Sequence, residues 1–525
     1  MADSLPLLSQ SDTTFSGSES HHHEKVAAAA TSLDEIIEQS IGGFAWSQFF
    51  QAILVSLASI FDSQQSFISV YTDGEPTWHC INNTTCNSIS SNICELPRSD
   101  WAWDGTASKT IISEWGLECS SAFIKGLPAS SHFMGCLLGT IFLATLADSS
   151  LGRKNLLLLS CLTMSITTSI TIFSNNVWIY SALRFLTGLS RASIDICTIV
   201  LVTEKVGRKW RGRVGLLDCS FFMVGILSLP AIAYMNREFS WRAIYLCISI
   251  PTLIHSAFVY QFVSESPRWL FMQGREKEAI EALKRISPLK EQTLLSTQGL
   301  LGGVVVNPRH DDESNEANIF SSIKNLFHRK WARNRIMVTM VLSFGIGLVY
   351  YGETLGVGNL GFDIYLSVLF NGLLEIPSLL LSLFLIEKWN RKTSLLILCI
   401  LSGIFSIMTI VAGNENGSAQ IGLELASFFG ACTAYNLILI YAVELFPTSV
   451  RSFASSTVRQ AITFGAMLSS LLNSAASNNQ FLSYGVFGLV IICSGLFVIF
   501  LPETRDAALC DTLDEQEHND TIVVL

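Results

Sequence analysis

Runs of about twenty apolar residues occur twelve times in this 525-residue chain, and each is long enough as an α-helix to cross about 30 Å of hydrocarbon. They fall near 44–66, 126–147, 154–173, 178–203, 214–234, 241–263, 336–356, 362–386, 393–413, 419–443, 453–473 and 481–501. None shows the ten-residue apolar–polar alternation of barrel strands. Only 14% of the residues are charged, against roughly a quarter in a soluble protein, and half (50%) are hydrophobic. The expected class is an all-α membrane protein with 12 transmembrane helices.

A charged pattern occurs twice. Asp148 with Gly152, Arg153 and Lys154, then Glu204 and Arg211, then Glu265 and Arg268 make the first copy. Glu387 with Asn390, Arg391 and Lys392, then Glu444 and Arg451, then Glu503 and Arg505 make the second. The offsets Asp148 to Glu387, Glu204 to Glu444 and Glu265 to Glu503 are 239, 240 and 238 residues. The chain therefore reads as two six-helix bundles related by a pseudo-two-fold axis, at 44–263 and 336–501. A cytoplasmic linker at 264–335 joins them, and cytoplasmic tails at 1–43 and 502–525 flank them. Parallel repeats of this kind place a substrate site at their interface.

Lys and Arg set the orientation. With both termini cytoplasmic, the inside loops hold Arg153, Lys154, Lys205, Arg211, a dense set over 268–335, Lys388, Arg391 and Arg451, and the loop at 67–125 is exoplasmic. Four of the 13 cysteines, Cys80, Cys86, Cys94 and Cys119, lie in that loop and read as two disulfides with three possible pairings. Overlapping glycosylation sequons begin at Asn82 and Asn83. Residues 1–24 are polar with no cleavable signal peptide, and 274–286 reads as an amphipathic helix. Asp3, Leu7 and Leu8 match an acidic dileucine sorting signal, which a sorting adaptor would read. His21, His22 and His23 read as polar tail rather than metal ligands, because no other ligand accompanies them.

Charges at helix ends are costly unless paired. Acidic and basic residues repeated in register at one membrane face read as a conformational gate of breakable ion pairs. A purely topogenic role explains the basic residues but not the acidic ones. The gate set is Asp148, Gly152, Arg153, Glu204, Arg211, Glu265, Arg268, Glu387, Arg391, Glu444, Arg451 and Glu503.

The stretch Asp148 to Lys154 resembles the loop 2–3 signature of the major facilitator superfamily, with one extra residue before the glycine, and Arg184 with Gly188 resembles its span 4 motif. Glu265 to Leu270 and Pro502 to Thr504 resemble its sugar-porter-like branch, with Ser264 in place of the usual proline. Within that branch the chain is most similar to organic cation/carnitine transporters, the plant members above all. This rests on Asp62 to Phe67, Tyr71 to Cys80, Tyr350 to Gly361, Tyr365 to Pro377 and Tyr441 to Arg451. The resemblance covers roughly 33–505. Where animal members often carry an ionised residue in span 11 this chain has Thr463, and where they often carry a span 10 lysine it has Phe428, so their substrate preference does not transfer.

An amine cation needs aromatic faces and a carboxylate in a low-dielectric cavity. The resemblance implies that Tyr350 and Glu375 line the central cavity. A structural bond is the alternative for Glu375, and helix packing for Tyr350 and Tyr351. Asp62 reads as a cation attractant, a coupling-proton carrier or a cap of span 1. Arg191 and Asp195, four apart on span 4, read as neutralising each other, with Arg191 also a partner for a zwitterion's carboxylate. Arg459 reads as contacting a carboxylate or snorkelling to the interface. Glu353 and Asp363 are expected to face water at the outer ends of spans 7 and 8.

The function these features imply is secondary active transport of organic cations, with carnitine, choline or polyamines as candidates, by alternating access and with a coupling proton or sodium ion. The alternatives are a sugar or polyol porter, or a non-transporting receptor or scaffold. No phosphate-binding loop, catalytic constellation, cofactor motif or nucleic-acid signature is present. The sorting signal implies the vacuolar membrane, with the plasma membrane as the alternative.

Overall fold

The computed structural model describes residues 46–81, 93–147, 151–287, 326–360, 362–412, 417–476, 480–505, 510 and 512–524. Asp3, Leu7, Leu8, His21, His22, His23, Asn82, Asn83, Cys86 and Asp148 lie outside them.

Twelve long helices account for the apolar runs. The first six are α1 (Trp46–Phe67), α2 (Ala122–Ala147), α3 (Arg153–Thr171), α4 (Val177–Glu204), α5 (Arg208–Met235) and α6 (Trp241–Phe262). The second six are α7 (Lys330–Gly356), α8 (Ile364–Lys388), α9 (Arg391–Ala412), α10 (Gly417–Leu445), α11 (Thr448–Ala475) and α12 (Gln480–Leu496). Among the described residues, nine helices are long and apolar enough to cross a membrane on length and composition. Starts are fixed by side-chain caps where the sequence supplies them: Asn176 accepts from the Ile179 N–H, and Asp363 from those of Tyr365 and Leu366. Asp363 is exposed, as expected.

Each set of six packs on itself, and among the described residues the two most extensive contacts between the sets are α2 against α11 and α5 against α8. The repeat extends to the packing. Gly225 on α5 lets α1 approach so closely that a Cβ would lie 2.4 Å from the Ile60 carbonyl oxygen. Gly465, 240 residues on, does the same for α11 and α7, where a Cβ would meet the Phe344 carbonyl oxygen at 2.5 Å. Any side chain at either glycine would force the helix pair apart.

The chain between α1 and α2 carries a two-stranded antiparallel sheet, β1 (Trp78–Cys80) on β2 (Trp101–Trp103), over a small core of Ile93, Trp101 and Trp103. Cys94 and Cys119 are disulfide-bonded, and Cys80 is also in a disulfide. The short helix Ile111–Trp115 ties this unit to α6: Glu114 accepts from Trp241 Nε1 at 2.7 Å and Arg242 Nη1 at 2.6 Å. At the opposite face, the amphipathic segment is the helix Glu276–Ile286, and its Ile286 carbonyl accepts from the Ser47 hydroxyl of α1 at 2.9 Å.

Candidate functional site

The doubled pattern forms two copies of one arrangement at the face opposite the disulfide-bonded unit. In the first half the Glu265 carboxylate accepts from the Lys154 backbone N–H, at 3.0 and 3.1 Å to its two oxygens. In the second, Glu503 accepts from the backbone N–H groups of Arg391 and Lys392 at 2.9 and 3.1 Å. Each carboxylate thus sits at the N-terminus of the third helix of its half, where unsatisfied N–H groups and the helix dipole favour negative charge. The lysine heads repeat as well: Lys154 Nζ donates to the Tyr260 carbonyl and Lys392 Nζ to that of Ile499. Gly152 makes the first copy possible. Its φ is +84°, and a Cβ there would fall 2.4 Å from Glu265 Oε2.

The arginines add side-chain pairs. Arg391 donates to both oxygens of Glu444, at 3.1 and 3.3 Å, and Thr504 donates to the same carboxylate at 2.6 Å. Arg153 lies 3.8 Å from Glu204 in the equivalent place. Glu265 and Glu503 therefore bind backbone N–H groups, whereas Glu204 and Glu444 take arginine side chains. Arg211 and Arg451, seven residues after those two glutamates, are not their partners; Arg451 Nε and Nη2 are buried without a hydrogen-bond partner. Arg268 is half-buried in the short helix Pro267–Met272, and Glu387 is exposed at the end of α8.

Midway along the bundles, side chains from both halves converge. Tyr350 on α7 donates to Glu375 Oε1 on α8 at 2.6 Å, and both are buried. The Tyr350 ring stacks on Tyr435 and Phe428 of α10, with centroids 4.8 and 5.5 Å apart, and meets Tyr351 edge-on at 5.0 Å. Tyr351 in turn stacks on Phe67 of α1 and meets Phe133 of α2, at 5.8 and 5.1 Å. The result is an aromatic cluster spanning the bundle interface with one carboxyl at its edge. A groove of about 590 Å³ beside Trp331, Arg335 and Phe500 includes none of these residues.

Two ion pairs border the cluster, and neither matches the expectation for α4. Arg191 pairs with Asp62 rather than Asp195: Nη2 donates to Oδ2 at 3.1 Å, and Nε stands 2.7 Å from Oδ1 but off the line of a hydrogen bond. Asp195 instead accepts from Arg459 Nη1 of α11 at 2.7 Å, so this pair bridges the bundles. The i, i+4 spacing put Arg191 and Asp195 on one face, but facing helices supply closer partners. Asp62 caps nothing; it is buried within α1. Arg459 contacts the Asp195 carboxylate of the other half.

Asp195 and Arg459 are half exposed although they lie deep along their helices. Nearer the disulfide-bonded unit, Tyr71 stacks on Tyr365 at 5.6 Å and Tyr234 meets Tyr365 edge-on, contacts that also run between the two halves.

Glu353 overturns a second expectation. It does not face water: it is fully buried, with the Ser427 hydroxyl of α10 2.5 Å from its Oε1. Phe133 and Tyr435 carry no sequence signal of their own, Phe67 stands out only as the end of a family stretch, and Phe428 only as a departure from relatives. An aromatic on an apolar helix looks the same whether it meets lipid or a cluster.

The sugar (and other) transporter family model matches residues 39–512. The chain is 49% identical over 502 residues to organic cation/carnitine transporter 2 of Arabidopsis thaliana, covering 94% of this chain and 95% of that one. It is likewise 49% identical over 523 residues to organic cation/carnitine transporter 3 of the same plant, covering 99% and 98%. Solute carrier family 22 member 3 of Mus musculus is 30% identical, covering 80% and 73%. Among solved structures, the inward-open xylose transporter XylE of E. coli superposes with a TM-score of 0.63 over 90% of this chain and 99% of that one, at 17% identity, a likeness of fold. The doubled charged pattern, the two six-helix bundles and the full-length relatives agree, and the chain belongs to the organic cation/carnitine transporters of the major facilitator superfamily.

Proposed function

We propose that this protein is a secondary active transporter that moves small organic cations, or zwitterions such as carnitine, by alternating access. The observation that carries the reading is the Tyr350–Glu375 pair inside the aromatic cluster of Phe428, Tyr435, Tyr351 and Phe67. A cation entering it exchanges water for ring faces and a carboxylate, each worth more in a low-dielectric site. Arg191 and Arg459, already salt-bridged, are the basic groups available to a zwitterion's carboxylate. The Asp62–Arg191 pair is the candidate carrier of a coupling proton. Choline and polyamines share the required charge and are candidate substrates.

The gate works through the repeated arrangement. Glu265 and Glu503 hold helix ends in one position, and Arg153–Glu204 and Arg391–Glu444 tie neighbouring helices. Changing which face is open exchanges the bonds of this latch for contacts elsewhere, a two-state change within reach of a few kcal/mol. We read the latch face and both termini as cytoplasmic on the Lys and Arg distribution, and the membrane as vacuolar on Asp3, Leu7 and Leu8. The plasma membrane is the other reading, and an unchanged location of a Leu7→Ala/Leu8→Ala variant removes the signal from the argument. The loop then faces the lumen, where Asn82 or Asn83 carries glycan.

The test is uptake by the full-length protein in proteoliposomes, with tetraethylammonium, choline, polyamines, L-carnitine and hexoses as probes. Cation or carnitine uptake that Glu375→Gln reduces at least tenfold supports the proposal. Hexose uptake indifferent to Glu375→Gln, or no uptake of any amine, overturns it.

A further inference from the structure

A second buried constellation lies inside the C-terminal bundle. Glu353 of α7 and Glu424 of α10 are both fully buried and near enough to repel one another. The Asn371 amide of α8 donates to Glu424 Oε1 at 3.0 Å. Glu353 Oε2, Glu424 Oε2 and Asn371 Oδ1 have no hydrogen-bond partner. Nor has the Tyr484 hydroxyl of α12, fully buried with both carboxyls as its charged neighbours. From α9 come only Ser402 and Ser406. The charged group deep in α11, Arg459, is engaged by Asp195. Among the described residues neither carboxyl has a Lys, Arg or His partner.

We propose that Glu353 and Glu424 form a proton-binding site, in which the two carboxyls hold a single exchangeable proton. Two unpaired carboxylates so buried would leave large desolvation costs uncompensated. Hydrogen-bond counting points the same way. The Ser427 hydroxyl lies 2.5 Å from Glu353 Oε1 and 2.9 Å from the Ser402 carbonyl oxygen, and it has one proton for two acceptors. With a proton on Glu353, the carboxyl donates to Ser427 and Ser427 donates to Ser402, so both contacts are made. The step is simple protonation: a carboxylate oxygen gains H⁺ and the pair's charge rises by one. A metal ion fits less well, since no cluster of three or more His, Cys, Asp or Glu among the described residues is able to hold one.

The repeat shows that this site is particular to one half. At the 240-residue offset Glu424 answers to Arg184, and at 239 Tyr484 answers to Tyr245. Arg184 is a permanent cation held by the Gln65 side chain, the Gln65 carbonyl and Ser69 at 3.0–3.2 Å, with Asp73 nearby. One bundle thus carries a fixed charge where the other carries a titratable pair. Glu353 also lies one turn beyond Tyr350 on α7, so a change in the pair's protonation reaches the aromatic cluster through one helix. This coupling rests on the transport reading; the proton site does not.

The first experiment needs no substrate. Infrared spectra of the full-length protein in liposomes record the protonated-carboxyl C=O stretch against pH for wild type, Glu353→Gln, Glu424→Gln and the double variant. A titrating band that shifts in each single variant and disappears in the double supports the site. Tyr484→Phe, which loses only a hydroxyl, should also move it. An identical titration in wild type and double variant, or loss of the band on adding NaCl at constant pH, overturns the proposal. The second experiment compares pH-gradient-driven accumulation with counterflow of whichever probe is transported. Their ratio should fall at least tenfold in both single variants, and an unchanged ratio overturns the coupling.

Discussion

Gly152 carries more of the latch than its size suggests. At φ +84° a side chain is strained, and its Cβ would displace Glu265 from the Lys154 N–H. Gly152→Ala should therefore destabilise the protein by about 1–3 kcal/mol, read as a lower melting temperature in detergent. An unchanged melting temperature would show that the turn relaxes freely. In the cluster, Tyr350→Phe keeps the stacked ring and removes the donor to Glu375. The expectation is about a tenfold weaker apparent affinity for the transported cation, from a loss of about 1–2 kcal/mol in charge-assisted hydrogen bonding. Full affinity would assign Tyr350 to packing alone. Glu375 stood out in the sequence as a carboxylate among apolar residues, but its hydrogen bond with Tyr350 of another helix did not. Glu353 was misread because its place near a helix end suggested water, while Ser427 and Glu424 on another helix decided its surroundings.

The twelve helices could be read from the chain because a 20-residue apolar run leaves the backbone few other ways to satisfy its hydrogen bonds in a membrane. The strands Trp78–Cys80 and Trp101–Trp103 could not: three residues carry no period, and pairing them depends on contacts across the loop. The Cys94–Cys119 bond closes a 25-residue separation, for which chain entropy gives about 3 kcal/mol. Cys94→Ser should therefore raise hydrogen exchange throughout the sheet and leave α7–α12 protected; equal protection in the sheet would contradict this. Next to it, the His79 ring holds the exposed Asp104 carboxyl below the usual carboxylate range. A lowered carboxylate contributes stability that is complete above its unfolded value of about 3.9 and is lost as pH falls through the folded value. Loss of the Asp104 contribution should thus raise exchange in β2 only in acid below about pH 4. A rise already at pH 6 would point to another group.

Taken whole, the molecule adds to the helix packing between its two bundles a half-exposed ion pair, Asp195 with Arg459. Such a pair contributes about 1 kcal/mol or less, enough to shift a two-state equilibrium about fivefold. Arg459→Asp should move the distance distribution between spin labels on the two bundles toward a wider latch face. The swapped Asp195→Arg/Arg459→Asp protein should recover part of the original distribution; no recovery would show that the pair does not set it. The two-bundle plan was legible from the doubled charges, but these bridging partners were not, because spacing within one helix says nothing about a helix in the other half. The latch itself has a consequence for natural variation. Glu265 and Glu503 grip peptide N–H groups, which every residue except proline supplies. A saturation library should accept most replacements at Lys154 and Lys392, reject proline there, and tolerate almost nothing at Glu265 or Glu503. Orthologues should thus be free to rewrite the two lysines, while Arg153 and Arg391, whose side chains pair with Glu204 and Glu444, stay fixed with the acidic residues.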